Sequence, residues 1–573
     1  MNPAQVISHF DRISDAPDAI PRLRRFILDL AVRGKLVGQD PRDEPAVELL
    51  KRIQEEKARL VREGETRREQ PLPPIGIQEV PSENPDNWKL ARLGDTSTLI
   101  TKGSTPTSYG HAFVPSGINF IKVESIKDGR LVSENVTSFI SEQTHNFLAR
   151  SRLAPGDILF SIAGSIGACA RVTPSILPAN TNQALAIIRG TNLVFDAEFL
   201  LICLKSSIAH LVLAKARGGA MNNVSLDDIR NLVVPIPPLD EQHRIVAKVD
   251  ELMALCDRLE AAQAEHESQR DRLVASSLNR LNNGADADAF HDHARFYFNH
   301  LPRLTTRAEH IQQLRQTILN LAVRGKLAPQ DPTDEPASEL LRRIQAEKQR
   351  LMKAGILSQR KVAAIEPKQP ELDCWKYWQS VNFIDVCNLV TSGSRGWAEF
   401  YSDTGPKFIR AQNIRFGRLR LEDLACVRLP KKTEGTRTQI SKGDLLIVIT
   451  GAGVTNPAML DHDLGEAYVS QHVALIKPTI TSLSRWLLLC LMAPVGARAE
   501  LVERAYGAGK PGLNLDNIRF LRIPLPPLAE QQRIVAKVDE LMALCDKLEV
   551  QLTTTHTDSR RLLGVVLHDA LAT

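Results

Sequence analysis

A tandem repeat of long, nearly identical segments limits the folds that this chain can adopt. Residues 235–260 are PIPPLDEQHRIVAKVDELMALCDRLE and residues 524–549 are PLPPLAEQQRIVAKVDELMALCDKLE, so only four positions differ. A second pair begins with LRRFILDLAVRGKL at residue 23 and LRQTILNLAVRGKL at residue 314. The offsets are 289 residues (524 less 235) and 291 residues (314 less 23), whereas solenoid repeats have periods of roughly 20 to 50 residues. The sequence therefore predicts a duplicated set of domains rather than an array.

The segments between these near-identical pieces match only as a faint skeleton. Residues 87–234 and 375–523 carry a few short motifs in the same order. The matches are Phe120-Ile121-Lys122 with Phe408-Ile409-Arg410, Gly156-Asp157-Ile158-Leu159 with Gly443-Asp444-Leu445-Leu446, and residues 224–229 with residues 513–518. We expect the two segments to share a fold and to differ in surface. The near-identical pieces then contact the same kind of partner twice, and the divergent segments contact different ones.

Length and composition are those of a folded protein with several cores. The chain has 573 residues, and domains usually contain about 100 to 200, which predicts three or four structural units. Hydrophobic residues make up 43% and charged residues 24%, as in ordinary globular proteins. The net charge of +5 is too small to identify a polyanion-binding protein by itself.

The segment after Pro237-Pro238 predicts a long helix. Its apolar positions alternate in steps of four and three, which is the pattern of a coiled-coil seam, and Asp240 is a plausible cap. The seam residues are Ile245, Val249, Leu252, Cys256 and Leu259, and the second copy has Ile534, Val538, Leu541, Cys545, Leu548 and Leu552. A helix that continues to about Arg280 measures roughly 60 Å. We predict that the two seams pair as an antiparallel coiled coil within the chain; pairing between two chains is the alternative.

Other patterns place further helices and the joints between domains. Helices are predicted at residues 23–36 and 44–60, with Asp43-Glu44-Pro45 as a capping and proline-start signal. Proline-rich residues 70–85 and residues 358–370 are predicted linkers, and residues 282–288 are the predicted joint between the copies. Short apolar runs bounded by Gly, Pro and Ser predict strands. Those runs are residues 157–162, 184–188, 445–449 and 473–476.

The predicted fold class is α/β, with two mixed α/β domains joined by long paired helices and a helical extension before each domain. We call residues 86–236 head 1 and residues 375–525 head 2. The remaining predicted regions are helical: residues 1–65, 237–282, 307–355 and 526–573.

Motifs for enzyme chemistry are missing or have better explanations. Gly507-Ala508-Gly509-Lys510 lacks the spacing of a phosphate loop, and Pro511 follows it. Gly164-Ser165-Ile166-Gly167 lacks the third glycine of a dinucleotide fingerprint, so it predicts a tight turn, as does Gly451-Ala452-Gly453. The Pro-Pro pairs precede leucine and not the tyrosine of an adenine methyltransferase loop. The acidic run at residues 331–335 favours helix capping over metal binding, and His291-Asp292-His293 favours a solvated linker.

Cysteine usage and hydropathy predict a cytoplasmic protein. The eight cysteines show no C-x-x-C and no zinc-type spacing, so we expect reduced and mostly buried thiols. The first residues lack a signal-peptide pattern, and no apolar run reaches the ~18 residues of a membrane span.

Polar and basic loops in both heads point to DNA. Residues 407–442 contain ten Lys or Arg against three acidic residues, which predicts a phosphate-tracking face; a solvated basic surface is the alternative. Loops that combine Ser, Thr, Asn or Gln with Lys or Arg suit phosphates and base edges. The candidates in head 1 are Lys102, Ser104, Thr105, Asn180, Asn182, Gln183, Arg217, Asn222 and Asn223. The candidates in head 2 are Ser394, Arg395, Arg410, Gln412, Asn413, Arg415, Arg418, Lys431, Lys432, Lys510 and Asn514.

The whole chain resembles the specificity subunit of a type I restriction-modification system. The resemblance rests on P-x-P-P-L-x-E-Q-x-R-I-V-A-K-V-D-E-L at Pro235 and Pro524 and on L-A-V-R-G-K-L at Leu30 and Leu321. It also rests on the head 1 opening, W-K-L-A-R-L-G-D from Trp88, and on the Gly-Asp strands. Head 2 opens instead with Trp375-Lys376-Tyr377-Trp378-Gln379, so its first strand is expected to differ.

The resemblance implies a subunit without catalytic residues and with two target recognition domains, each recognising one half of an interrupted, asymmetric DNA site. Two modification subunits, which bring S-adenosylmethionine and methylate adenine, would dock on the helical repeats, and ATP-dependent restriction subunits, which also use Mg, would join them. No cofactor or metal is expected on this chain. From the residues alone, a protein-interaction scaffold with two binding heads and an enzyme with an unrecognised site stay open.

Overall fold

The computed structural model describes most of the chain as two compact units. The first unit contains Met1–His266 with His556–Thr573, and the second contains Glu267–Thr555. The described residues are 16–66, 70–76, 79, 85–127, 129–209, 223–283, 287–356, 377–394, 396–429, 436–506 and 511–572.

A pair of helices precedes each head, as the repeat predicts. The pairs are Ala19–Ala31 with Ala46–Arg62 and Ala308–Val323 with Ala337–Lys353. The helices predicted at residues 23–36 and 44–60 are therefore confirmed. The first of them ends early because Gly34 adopts a φ of +68°, a left-handed conformation that closes helix C-termini and that glycine adopts without steric cost.

Short strands and helices build the two heads. The strands of head 1 are β1 (Lys89–Arg92), β2 (Leu99–Lys102), β3 (Ile118–Ile121), β4 (Ile126–Lys127), β5 (Arg130–Leu131), β6 (Phe139–Ile140), β7 (Ile158–Ser161), β8 (Cys169–Arg171), β9 (Ala179–Thr181), β10 (Leu185–Arg189) and β11 (Val233–Ile236). The strands of head 2 are β12 (Gln379–Asn382), β13 (Cys387–Ser392), β14 (Tyr401–Ile409), β15 (Ile414–Arg415), β16 (Arg418–Leu419), β17 (Ala425–Val427), β18 (Leu445–Val448), β19 (Pro457–Met459), β20 (Ala467–Val469), β21 (Val473–Pro478) and β22 (Arg522–Leu525). The described α-helices are Glu142–Phe147, Ala197–Lys205 and Leu226–Arg230 in head 1 and Ser484–Met492, Ala497–Tyr506 and Leu515–Arg519 in head 2.

The two heads share one topology. The main sheet has the order β2-β10-β7-β8 in head 1 and β13-β21-β18-β19 in head 2, and all of its pairs are antiparallel. A smaller sheet has the order β6-β3-β9 or β17-β14-β20, with one parallel pair in each head. The strands predicted from the four apolar runs are confirmed, and so is the common fold of the two divergent segments.

The Gly-Asp motif is an internal brace of this fold. Asp157 is buried, accepts the backbone N–H of Ala154 at 2.8 Å and pairs with Arg189 at 2.6 Å. Asp444 accepts the N–H of Ser441 at 2.8 Å and pairs with Lys477 at 2.5 Å. Burial raises the pKa of Asp444, and Lys477 partly offsets the effect. The motif recurs because it ties a tight turn to the neighbouring strand of the main sheet.

The first strand of head 2 corrects a prediction. Lys89 of β1 pairs with Ile236 of β11, and Gln379 of β12 pairs with Leu525 of β22 in the same register. Trp378 is therefore the counterpart of Trp88, and both indoles are buried. The first strand does not differ between the heads, because a four-residue antiparallel pair needs only the matching backbone and one core tryptophan ahead of it. Trp375 lies outside the described residues.

Two long helices, Leu239–Asn283 and Leu528–Ala572, follow the heads. At 1.5 Å per residue each measures about 67 Å. Asp240 lies inside the first turn and is not the cap that we predicted. The seam residues Ile245, Val249 and Cys256 pack into the core formed by head 1 and its preceding helices, and Ile534 and its neighbours pack likewise in the second unit. The first half of each seam is thus occupied by its own unit, and the antiparallel pairing of the two helices stays a prediction.

The Asp-Glu-Pro motifs pair with the long helices and do not cap the short ones. Pro45 and Pro336 are the N-cap residues, and neither helix has a side-chain cap. Asp43 instead pairs with Arg244 at 2.7 Å, and Asp334 pairs with Arg533 at 2.7 Å. The predicted capping role is therefore wrong, because arginines of the repeated R-I-V-A-K-V motif take these carboxylates.

The Arg-Gly-Lys motif receives the carboxyl end of a long helix in each unit. In the first unit, Lys35 Nζ donates to the carbonyl of Leu571 at 2.9 Å. In the second, Arg324 Nη1 donates to the carbonyl of Asn282 at 2.6 Å. Helix C-termini have unsatisfied carbonyls and a partial negative charge, so cations there are stabilising. The motif is thus another structural contact that both repeats preserve.

The described residues of the predicted joint, 282–283 and 287–288, are helical. Helices span Ala287–Asn299 and Leu301–Leu304, and Tyr297 is fully buried in the second core. His291-Asp292-His293 therefore lies on a helix and not in the solvated linker that we predicted; Phe290, Ala294 and Tyr297 at helical spacing are the signal that could have indicated it. Residues 284–286 and the linker at 358–370 lie outside the described residues.

Other sequence predictions concern thiols and membranes. Seven cysteines are described, all buried and unpaired, as predicted, and Cys374 lies outside the described residues. Burial raises the pKa of Cys203 and Cys490 far above the usual range. None of the helices in the described ranges is long and apolar enough to cross a membrane.

Candidate nucleic-acid interface

One edge of the main sheet in head 1 collects the polar loops. The loops after β2 and before β10 meet there, because Ser104 N–H donates to the carbonyl of Thr181 at 3.0 Å and Gly103 N–H donates to that of Leu185 at 3.2 Å. A Cβ on Gly103 would lie 2.1 Å from the Thr181 oxygen, so only glycine allows this approach. The N–H of Val224 donates to the carbonyl of Ile162, just after β7, at 3.0 Å. This bond brings Asn223 to the same edge.

Most described candidates of head 1 lie at this edge. Lys102, Gln183 and Asn223 are exposed, and Ser104, Thr105 and Asn182 are half-buried. The hydroxyl of Thr105 donates to Gln183 Oε1, and Asn182 Oδ1 accepts the N–H of Ala184 at 3.2 Å. The structure thus brings six predicted residues together. Arg217 and Asn222 lie outside the described residues.

Asn180 corrects the head 1 prediction. It is fully buried, its amide nitrogen donates to the carbonyl of Leu148 at 3.0 Å and to Ser151 Oγ at 2.9 Å, and its oxygen faces His145. It cannot contact DNA in this position, because its side-chain amide is buried and hydrogen-bonded within the protein. Its role is to hold residues 145–151 against the smaller sheet.

The same edge in head 2 is built from different residues. Ser394 forms a bridge with Ser470, the N–H of Leu513 donates to the carbonyl of Ile449 at 2.9 Å, and Gly393 occupies the place of Gly103 with equally tight contacts. Gln471 and His472 are exposed there, and His472 Nδ1 lies 2.5 Å from Thr450 Oγ1. Sequence analysis missed both residues; their position just before β21, like Gln183 before β10, is the signal that could have indicated them.

A short hairpin, β15 and β16, carries several head 2 candidates. Arg415 and Arg418 face each other across it and are exposed, as is Gln412. Its turn reaches the main sheet, since Gly417 N–H donates to the carbonyl of Pro457 at 2.9 Å, where β19 begins beside the loop that follows β18. These basic residues therefore lie close to the edge that carries the other loops.

Three head 2 candidates have structural partners. Asn413 is buried, accepts the N–H of Arg410 at 3.0 Å and donates to the carbonyl of Asp423 at 3.3 Å. Arg410 donates to the same carbonyl at 3.2 Å. Asn514 Oδ1 accepts the N–H of Asn517 at 2.8 Å as a helix cap, as Ser225 does in head 1. The buried Asn413 is therefore corrected, because its side chain holds the backbone. Asn514 is exposed, so only its oxygen is committed to the cap and it stays a prediction.

The remaining candidates are not described, and part of the basic stretch is neutralised. Arg395, Lys431, Lys432 and Lys510 lie outside the described residues. Arg420 pairs with Asp423 at 2.9 Å and with Glu422 at 3.5 Å, so acidic neighbours reduce the positive charge of this part of head 2. The exposed positive charge of the described hairpin is carried by Arg415 and Arg418.

The glycine loops at the edge are tight turns, as predicted. Gly164 and Gly167 have φ of +76° and +92° between β7 and β8, and Gly451 and Gly453 have φ of +90° and +81° between β18 and β19. Thr455, in the second loop, also has a positive φ of 74°, which is uncommon for a β-branched residue. Arg498 donates to its carbonyl. The loop shape is thus held by the rest of head 2.

Head 1 also exposes an aromatic cluster that was not among the predicted site residues. Tyr109 and Phe147 are more than half exposed, and their ring centroids lie 5.8 Å apart. Tyr109 ends a 3-10 helix that begins after Thr105, so the cluster lies near the candidate loops. Exposed aromatic rings next to polar loops can contact bases or thymine methyl groups.

The described part of the chain shows no cluster suited to a metal ion. Within it, no three His, Cys, Asp or Glu side chains are grouped to hold a metal ion. In head 2, Tyr468 takes the position of Asn180 and donates to Glu466 at 2.5 Å; burial raises its pKa to about 12. At the edge itself, the exposed or half-buried candidates are amides, hydroxyls and basic groups, which suit phosphates and base edges.

Comparison with known proteins identifies the family. The model for the type I restriction modification DNA specificity domain matches residues 85–267 and 376–555. The EcoAI specificity subunit of Escherichia coli is 30% identical over 96% of this chain and 94% of its own length, and the EcoEI subunit of Escherichia coli is 28% identical over the same shares. The HsdS subunit from Thermoanaerobacter tengcongensis matches 86% of this chain and 99% of its own, with 21% identity and a TM-score of 0.43, too low to support a conclusion. Two matched domains and a full-length relative show that this chain belongs to the family of type I restriction-modification specificity subunits.

Proposed function

We propose that this chain is the DNA sequence-recognition subunit of a type I restriction-modification complex, and that each head recognises one half of a bipartite, asymmetric target. The observation that carries the proposal is that two heads of one topology present the same sheet edge with different side chains. Head 1 offers Thr105 and Gln183 there, whereas head 2 offers Gln471 and His472. Two heads with the same topology and different loop residues suit two half-sites of different sequence.

The long helices supply two equivalent docking sites for methyltransferase subunits. Their buried identities, such as Ile245 and Ile534, are explained by packing within each unit. Packing does not explain why exposed residues are also identical in the two copies. The spacing of several of them places them on one helix face. Four of the exposed identical pairs have this spacing: Ala247 with Ala536, Asp250 with Asp539, Glu251 with Glu540 and Ala254 with Ala543. Two further exposed pairs, Asp257 with Asp546 and Glu260 with Glu549, bind Arg24 and Arg315 instead. We call the first four pairs the shared helix face.

The chemistry then belongs to partner subunits. Methyl transfer from S-adenosylmethionine requires the target base to leave the helix and enter a pocket, and we assign that step to the docked methyltransferases. ATP-dependent restriction subunits, with Mg, would join the same assembly. This chain contributes the choice of sequence and the placement of its partners.

Selection from random DNA tests the proposal. The purified complex of this chain with its methyltransferase subunits is incubated with a random duplex library, and the bound fraction is sequenced. We expect enrichment of two short, different motifs separated by a gap of fixed length. Enrichment of a single motif, or of none, would contradict two independent heads and favour a protein-interaction scaffold.

A further inference from the structure

Two arginines occupy the same position in the two heads although their surroundings differ. Arg150 lies six residues before Gly156 in the segment LARSRLAPGD, and Arg437 lies six residues before Gly443 in GTRTQISKGD. Only the arginine and the Gly-Asp are identical between the two segments. Both arginines are exposed, while the residues that follow them, Ser151 and Thr438, are fully buried.

Both arginines donate to the equivalent threonine at the end of a sheet strand. Arg150 Nε donates to Thr101 Oγ1 at 2.9 Å, and Arg437 Nη1 donates to Thr391 Oγ1 at 2.7 Å. Each threonine is 4% exposed and lies across from β10 or β21, opposite Ile187 or Leu475. The buried hydroxyl thus fixes one side of an exposed guanidinium.

The anchor places both arginines at the candidate interface. Thr101 directly precedes Lys102 and the loop that carries Ser104 and Thr105. Thr391 precedes the loop that carries Ser394. A guanidinium has five N–H donors, and charged donors of this kind form short, strong bonds to phosphate oxygens.

We propose that Arg150 and Arg437 contact backbone phosphates at corresponding places in the two half-sites. The inference rests on the proposed function. Half-sites of different sequence have the sugar-phosphate backbone in common, and contacts to it position a protein without specifying bases. Both heads keep this arginine and its threonine contact although their loops differ. A phosphate contact would explain this, because the backbone is the same in both half-sites. Thr101 and Thr391 act as positioning residues.

Salt-dependent binding by the complete complex tests the inference. We expect Arg150→Ala and Arg437→Ala each to weaken binding several-fold to tenfold on target and non-target DNA alike. Each lost phosphate contact should lower the slope of log affinity against log salt by about 0.9, and the motif selected from random DNA should not change. Arg150→Lys should restore most of the affinity, and Thr101→Val should cause a smaller loss than Arg150→Ala.

Arg171 provides a matched control, since it is an exposed arginine at the opposite edge of the same sheet, across from Ile158. Arg171→Ala should leave affinity and slope at the wild-type values. Wild-type affinity and slope in both alanine variants would overturn the inference, as would a changed base preference in either half-site. A wild-type complex that selects no bipartite motif would instead contradict the proposed function. Unchanged thermal unfolding separates a lost contact from a misfolded head.

Discussion

At the scale of single residues, Glu241 and Glu530 explain why the Glu-Gln of the repeated motif is kept. Both carboxyl groups are buried at the start of a long helix. Trp88 Nε1 donates to Glu241 at 3.0 Å, and the adjoining Gln242 donates to the carbonyls of Val194 and Pro237 at 2.9 and 3.0 Å. The motif therefore fixes the head to its helix, which is a structural reason for near-identity besides any partner.

Glu530 gives a pH-dependent prediction. Burial raises its pKa to about 7 from an ordinary value of 4.5, with the indole of Trp378 offsetting part of the effect. A carboxyl whose pKa is higher in the folded state binds an extra proton there, so the free energy of unfolding falls as pH rises from 4.5 to about 7 and stays lower above it. The loss is on the order of 3 kcal/mol.

We therefore expect Glu530→Gln to raise the thermal unfolding temperature at pH 8 and to flatten its dependence on pH between 5 and 8. Thermal unfolding scans at a series of pH values measure this. Glu540→Gln is the control, because Glu540 is exposed on the same helix and pairs with Lys537 at 2.9 Å. A variant that keeps the wild-type pH dependence would show that Glu530 is not the responsible group.

Individual DNA-contacting residues were the least predictable part of the sequence. Asn180 and Asn413 look like base-reading residues because they are amides in polar segments, but both are buried. Each one bonds to the protein instead, and an amide's partners depend on which backbone groups the fold leaves unpaired nearby. Arg150 and Arg437 were missed because their segments share little besides the spacing to Gly-Asp, and their common threonine contact is visible only in the structure.

At the scale of elements, the repeat predicted helices and strands well, but not all of their contacts. Periodicity identified the long helices and the main-sheet strands because apolar positions record which face is buried. It does not record what covers that face, so the seam at Ile245 and Val249 was assigned to a second helix although much of its partner is its own unit. Helix Ala287–Asn299 was missed because its polar and acidic start resembles a linker.

The shared helix face gives a prediction about assembly. Ala254→Arg and Ala543→Arg replace a small residue of this face by a long charged side chain, and arginine costs little in an exposed helix. We expect each single variant to bind one methyltransferase subunit in place of two, and the double variant to bind none, in native mass spectrometry. Ala261→Arg, at an exposed position outside the identical segment, is the control. Full stoichiometry in the double variant would exclude this face.

The length of the long helices gives a second prediction at this scale. Residues 262–266 are exposed, and an insertion there leaves intact the pairs of Arg24 with Asp257 and Glu260, at 2.6 and 2.7 Å. Inserting four helical residues at this point and at the matching point after residue 551 adds about 6 Å to each helix. If the helices set the spacing of the half-sites, the gap in the selected DNA motif changes by about two base pairs, at ~3.4 Å each. An unchanged gap would refute their role as a ruler.

In the whole molecule, the near-identical segments and the divergent heads have different roles. Near-identical segments make the internal contacts that both units need, through Arg244 with Asp43 and Arg533 with Asp334, and they expose a common face for common partners. The heads keep one topology and vary the loops at one sheet edge. That division was visible in the sequence, since constraint and divergence alternate along the chain, but the location of the edge needed the strand order.

Exchange of one head would show whether the two heads recognise DNA independently. Residues 377–525 are replaced by the matching head of a relative with a different target, the complex with methyltransferase subunits is purified, and its bound DNA is selected from a random library. We expect one half of the motif to change to the relative's half-site while the other half and the gap stay the same. A change in both halves, or in neither, would contradict two heads that recognise DNA independently.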